Sequence, residues 1–176
     1  VVNGKSIDTT MGLTPLEGLI TATRCGSVDP EVVTYLQEKE GLSAAEMSKV
    51  LNKKSGFLGL SCISSDARDL DAAANDGDPK AKRVLKKLTY EITKYIGAYA
   101  AAMGGVDVVI FAGGVGENQA DCRETVLEGL EFIGVELDKE VNAKMRGEEA
   151  VLSTPESRVK VLLIPTDEEL MIASDT

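Results

Sequence analysis

Four clusters hold the residue types from which a reactive site could be built: Arg24, the triplet Asp66-Ala67-Arg68, the stretch FAGGVGEN at 111–118, and the acids Asp167, Glu168 and Glu169. A mostly apolar run, Val106 to Phe111 with Asp107 in it, leads into the glycines of FAGGVGEN at 113, 114 and 116, and then into Glu117 and Asn118. A strand that ends in bare backbone at a helix start leaves N–H groups that can hold a phosphate. The same sequence also suits a tight turn of purely structural purpose. Neither common fingerprint is present: GxxxxGK[ST] is absent, and GxGxxG would need glycine where Gln119 stands. Glu117 would repel a phosphate, so it must point away or meet a metal; its plainer role is pairing with the helix dipole.

Asp167 and Glu168 follow an apolar run, Val159 to Ile164, a place where Mg²⁺ carboxylates occur. Thr166-x-x-Glu169 has the spacing of a capping box, which assigns Glu169 to the helix start. Arg24 and Arg68 are routine when taken singly. Arg24 falls in the last turn of a predicted helix, and Arg68 lies between Asp66 and Asp69 as a surface ion pair would.

Histidine is absent, which excludes Ser-His-Asp and Cys-His nucleophiles within this chain. Cys25, Cys62 and Cys122 are widely spaced, so neither a zinc site nor a disulfide framework is expected. With 29 acids against 19 bases the net charge is −10, and no basic stripe offers itself to nucleic acid or an anionic membrane. No apolar run is long enough to span a bilayer, and a cytoplasmic location is expected.

The elements that must position these clusters can be read along the chain. Val1 to Asp8 reads as strand, Asn-Gly turn, strand, its first arm so short that the beginning looks cut. Helices are predicted from Thr14-Pro15-Leu16-Glu17 to Gly26, after Asp29-Pro30, after Ser43, and after Asp66. The longest spans about 79–103, with Leu85, Leu88, Ile92, Tyr95, Ile96, Tyr99 and Met103 as one stripe. Strands are predicted at 106–111 and 159–164, with helices after the glycines, after Asp138 and at the end. Helices and strands alternate, which is α/β architecture with its ligand edge at the strand C-termini.

Six stretches in order carry a resemblance: DTTMGLTPLEG (8–18), TRCGSVDP (23–30), NKKSGFLGLS (52–61), SSDARD (64–69), AGGVGENQ (112–119) and IPTDEEL (164–170). Together the chain resembles the C-terminal half of the acetate kinases, of the acetate/sugar kinase, Hsp70 and actin superfamily. The resemblance implies an actin-like ATPase (ribonuclease H-like) domain over residues 1–176, a mixed sheet flanked by helices, with the first strand or strands and the N-terminal domain absent. It implies reversible transfer of the ATP γ-phosphoryl group to acetate, giving acetyl phosphate and ADP, with Mg²⁺ or Mn²⁺, in a homodimer. Arg24 would then stabilise the transferring phosphoryl group. Asp66, Ala67 and Arg68 would line the adenosine pocket, Gly114, Val115, Gly116, Glu117 and Asn118 would lie against the nucleotide, and Glu168 would be the metal carboxylate.

Ala67 stands where the family often has a bulkier residue, Cys62 where glycine is common, and Asp167 where asparagine is common. The family's other half supplies an asparagine, an arginine, an aspartate and a histidine of the site, so this chain alone is expected to be inactive. Propionate or butyrate kinases share much of the pattern, and a non-catalytic actin-like module is the alternative from another class.

Overall fold

The computed structural model describes residues 1–175, except for the side chains of residues 168 and 175. The chain forms two compact units, Val1–Tyr95 and Ile96–Thr176.

The first unit opens with the expected turn: Val2 and Lys5 exchange two backbone hydrogen bonds, and Asn3 and Gly4 both take positive φ, 51° and 77°. That is the turn geometry an Asn-Gly pair favours. Next come α1 (Pro30–Glu40), α2 (Ala44–Lys53), α3 (Gly56–Ser61) and α4 (Ala67–Asn75), and then α5 (Pro79–Met103) begins. The start signals read from sequence hold at α1, α2 and α4. Asp29 caps Glu31 N–H, Ser43 and Glu46 form a reciprocal capping box, and Asp66 caps Arg68 N–H.

The helix expected from Thr14 to Gly26 does not form. Its backbone groups are spent elsewhere: Gly18 N–H donates to Ser27 Oγ, Ser27 N–H to Gly18 O, and Ile20 N–H to the Glu91 carboxylate. Thr14 Oγ1 accepts from Leu16 N–H, the local competition that keeps threonine out of helix interiors. Residues 58–60, an apolar stretch without a start signal of its own, belong to α3.

Helix α5 has the predicted bounds. Asp78 accepts from Lys80 N–H and Ala81 N–H, each at 2.8 Å, and Gly104 and Gly105 end the helix at φ 75° and 145°. Its most deeply buried positions in the first unit are Ala81, Val84 and Leu88, with Leu85, Ile92 and Tyr95 only half-buried. The buried line is thus rotated from the predicted stripe toward smaller residues.

The second unit holds β1 (Val108–Phe111), α6 (Gly113–Asn118), α7 (Ala120–Leu127), a short 3-10 turn, α8 (Lys139–Lys144), β2 (Ala150–Val151), β3 (Lys160–Leu163) and α9 (Glu168–Asp175). The sheet is mixed, in the order β1-β3-β2. β1 runs parallel to β3, with Val108 opposite Lys160 and Phe111 opposite Leu163, whereas β2 is antiparallel to β3. Both longer strands were legible in the sequence; the two-residue β2 was not. Val109, Phe111, Val161 and Leu163 point into the core, where Val126, Leu130, Val135, Leu152 and Val159 join them. Val108 and Ile110 lie on the other face and are exposed, so β1 is covered on one side only. Parallel pairing brings the C-terminal ends of β1 and β3 to one edge, and with them the glycine turn and the loop before α9.

Candidate functional site

In the first unit Arg24 sits on a tight, well-braced turn rather than on a helix. Thr21 N–H donates to Arg24 O at 3.3 Å, Cys25 N–H to Leu51 O at 3.0 Å, and Thr23 Oγ1 to Asn52 O at 2.8 Å. In return the turn's carbonyls close the start of α3: Thr21 O accepts from Phe57 N–H, Ala22 O from Leu58 N–H and Thr23 O from Ser55 N–H. The approach is so close that a Cβ on Gly56 would lie 2.1 Å from Thr21 O and 2.7 Å from Arg24 O. Gly56 also has φ +61°, a second reason for glycine there. Arg24 itself is exposed, and its guanidinium makes no hydrogen bond or ion pair with the described residues. A cation without a partner on a rigid mount is free to meet an anion.

Elsewhere in the same unit, Asp66 and Arg68 form the local pair that their spacing anticipated. Arg68 Nη2 lies 2.6 Å from Asp66 Oδ2, and Nε donates to the same carboxylate. The carboxylate also caps Arg68 N–H at 2.9 Å. These bonds from Arg68 hold the Asp66 pKa down at about 2. Arg68 is 86 % exposed, so its planar face stays open even while paired. Ala67 opens α4 between them.

In the second unit the stretch expected as a loop is a short helix, α6, reached through Gly113 at φ +71°. Gly114 has ordinary backbone angles, and a Cβ added to it would meet nothing within 4 Å. Nothing inside the chain requires glycine at 114. Gly116 would bring its Cβ to 3.5 Å from Phe111, ordinary contact.

Glu117 is half-buried and bends back onto its own turn and the loop after β3. Its Oε1 accepts from Gly113 N–H at 2.8 Å, Thr166 N–H at 2.9 Å and Thr166 Oγ1 at 3.0 Å. One carboxylate oxygen thus ties the glycine turn to the loop that follows β3. The bonds from Thr166 and Gly113 hold the Glu117 carboxyl below its ordinary range. Asn118 also serves the turn, its Nδ2 donating to Gly114 O at 2.9 Å.

This use of Thr166 overturns the capping box assigned to Thr166 and Glu169. Asp167 caps α9 instead, its Oδ1 accepting from Leu170 N–H at 2.9 Å. The Glu168 side chain lies outside the described residues. Among the described residues no three His, Cys, Asp or Glu side chains stand together as a metal would need.

Two features escaped the sequence reading. Gly56 carries no local signal beyond its place in NKKSGFLGLS. Arg123 falls on the buried line of Ala120, Val126, Leu127 and Leu130, a cation where the periodicity demands an apolar residue, which is the signal that marks it.

An α/β unit with a glycine turn at the C-terminal edge of parallel strands is common to several nucleotide-binding folds, and its likeness to solved acetate kinases makes it the actin-like ATPase fold. The family model of the acetokinases matches residues 1–174, and the chain belongs to that family. It is 60 % identical over 176 residues to the acetate kinase of Bacteroides thetaiotaomicron and 59 % over 177 residues to that of Thermoanaerobacterium thermosaccharolyticum. In both cases the match takes in all of this chain and 44 % of the relative, so the chain spans less than half their length. Among solved structures, Porphyromonas gingivalis acetate kinase superposes with a TM-score of 0.96 at 55 % identity, over 99 % of this chain and 44 % of that one. A propionate kinase from Francisella tularensis gives a TM-score of 0.92 at 38 % identity, over 100 % of this chain and 44 % of that one.

Proposed function

We propose that this chain is the C-terminal, nucleotide-binding domain of an enzyme that reversibly transfers the γ-phosphoryl group of ATP to acetate, giving acetyl phosphate and ADP. The observation that carries the reading is Gly114, a glycine with neither a steric nor a conformational reason inside the chain. Bare backbone facing open space is what close passage of a nucleotide requires. Family membership supports the acyl phosphotransfer chemistry.

In this reading the turn from Gly114 to Asn118 lies against the nucleotide, and the exposed Arg68 plane contributes to the adenosine pocket with Asp66 and Ala67. Arg24 meets the phosphoryl group in flight. Charge spreads over the equatorial oxygens in that state, and a planar cation with several donors, fixed in advance, stabilises it. Its braced turn holds Arg24 in place, so little reorganisation is needed at the moment of transfer. Mg²⁺ or Mn²⁺ would neutralise charge on the phosphates when bound, and Glu168 is proposed as one of its carboxylates.

Gly114→Ala gives the sharpest test. In a helix with room for the methyl, alanine should raise stability by roughly 0.5–1 kcal/mol. The same methyl should weaken Mg·ADP binding to the chain at least fivefold by calorimetry. Unchanged affinity would remove the nucleotide from this turn. Acetate is preferred over propionate as acceptor because curated relatives at 60 % and 61 % identity are acetate kinases. Turnover of the two acids by the complete protein decides between them.

A further inference from the structure

Arg123 has no part in the reading above, and its setting is unusual for a cation. It lies on α7 with 0 % of its surface exposed. Among the described residues no carboxylate accepts from it. Nε donates to Asn142 Oδ1 at 2.7 Å, Nη1 to Gly116 O at 2.9 Å and Glu117 O at 3.1 Å, and Nη2 to Asn142 O at 3.0 Å and Met145 O at 2.8 Å. Burial, together with the like charge of Arg146, pushes its pKa down, yet a guanidinium keeps its proton in proteins.

A buried charge without a counter-ion is costly unless its donors are fully used. Here they are used on the C-terminal ends of α6 and α8, where carbonyls lack helical partners and carry partial negative charge. Neighbouring groups complete the same end of α6. Gly147 N–H donates to Glu117 O at 3.2 Å, and the Arg146 guanidinium donates to Asn118 O. Asn142 in turn donates through Nδ2 to Ala120 O at 2.9 Å, at the start of α7. The turn is therefore gripped at both ends, by Glu117 and Thr166 at Gly113 and by Arg123 at residues 116 and 117.

We propose that Arg123 is a positioning residue that moors the glycine turn to α8 and the 145–147 segment, holding the open side of Gly114 at a fixed place. Its value to nucleotide binding rests on the reading given above; the mooring itself does not.

Native-state hydrogen exchange on the 176-residue chain tests the mooring without any substitution. The amides of Gln119, Met145 and Gly147 should open together, with superimposable dependence on low urea, because one side chain bridges their segments. Separate openings overturn the proposal. In Arg123→Lys, which keeps the charge but not the fork, exchange at Gln119 and Gly147 should rise at least tenfold. The sheet amides of Leu152 and Lys160 should stay within threefold. No rise, or an equal rise everywhere, also overturns it.

Mg·ADP titration then separates positioning from plain stability. Arg123→Lys should weaken binding at least tenfold, while Val126→Ala, a buried change on the same helix, should stay within twofold. Equal weakening by both would make Arg123 a structural residue only. If the unsubstituted chain binds no ADP, the nucleotide reading of the turn fails, and the exchange results alone decide the mooring.

Discussion

Cys62 ends α3 with φ +58°, a left-handed conformation that costs a residue bearing a Cβ about 1–2 kcal/mol and glycine almost nothing. The resemblance had marked 62 as a position where glycine is usual, and this geometry supplies the reason. Cys62→Gly should therefore raise unfolding stability by about 1 kcal/mol, read from urea midpoints at unchanged slope. Glu117 makes a prediction of the opposite kind, about pH. Its carboxyl is held below its ordinary range in the folded chain, so its stabilising tie is fully present above that range. The tie is lost as pH falls through the depressed folded value. The amide resonances of Gly113 and Thr166 should shift together in that acid window, with one midpoint, and Glu117→Gln should abolish the shared step. Residue types announced Arg24, Asp66, Arg68 and Glu117 as worth attention. They did not announce partners 49 residues apart, such as Glu117 and Thr166, because pairing at that distance is set by sheet register.

Among elements, α1, α2, α4 and α5 were legible from local start signals, whereas the segment at 14–26 was not. α1, α2 and α5 begin at Asp29, Ser43 and Asp78, where side-chain oxygens cap backbone N–H groups from within three residues. The segment at 14–26 carries an equally good local signal, yet its amides go to Ser27 and Glu91 and its carbonyls to α3. Tertiary hydrogen bonding outweighed propensity there. The irregular segment is what lets Arg24 stand on a turn, and Gly56 is what lets that turn pack. Gly56→Ala should cost more than about 2 kcal/mol by denaturant unfolding, since the methyl strikes backbone and the φ is unfavourable. A cost below about 1 kcal/mol would mean that the turn moves aside at little expense. The contrast with Gly114→Ala, expected to stabilise, separates a glycine kept for packing from one kept for a ligand.

On the scale of the whole molecule, the chain divides into two compact units, Arg24, Asp66 and Arg68 lying in the first and the glycine turn in the second. Alternation of strands and helices was enough to read the α/β class, but not where one unit gives way to the next, because α5 runs through the boundary with an unbroken periodicity. The second unit also leaves Val108, Ile110 and Val151 exposed on one face of its sheet, at 40 %, 55 % and 57 %. An apolar sheet face of this kind favours self-association. The chain should associate with rising concentration in sedimentation velocity despite its charge of −10, and Ile110→Lys should suppress the association. Concentration-independent sedimentation of the unsubstituted chain would refute this.

The tie between Gly113 and Thr166 through Glu117 also fixes an order of events in time. β1 and α6 leave the ribosome long before β3, and the oxygen that joins the turn to its neighbour has no Thr166 to bind until 49 further residues are made. At about 5–20 residues per second that is an interval of roughly 2–10 s. Throughout it the nascent chain carries a glycine turn that is spelled out but not yet tied to its neighbour.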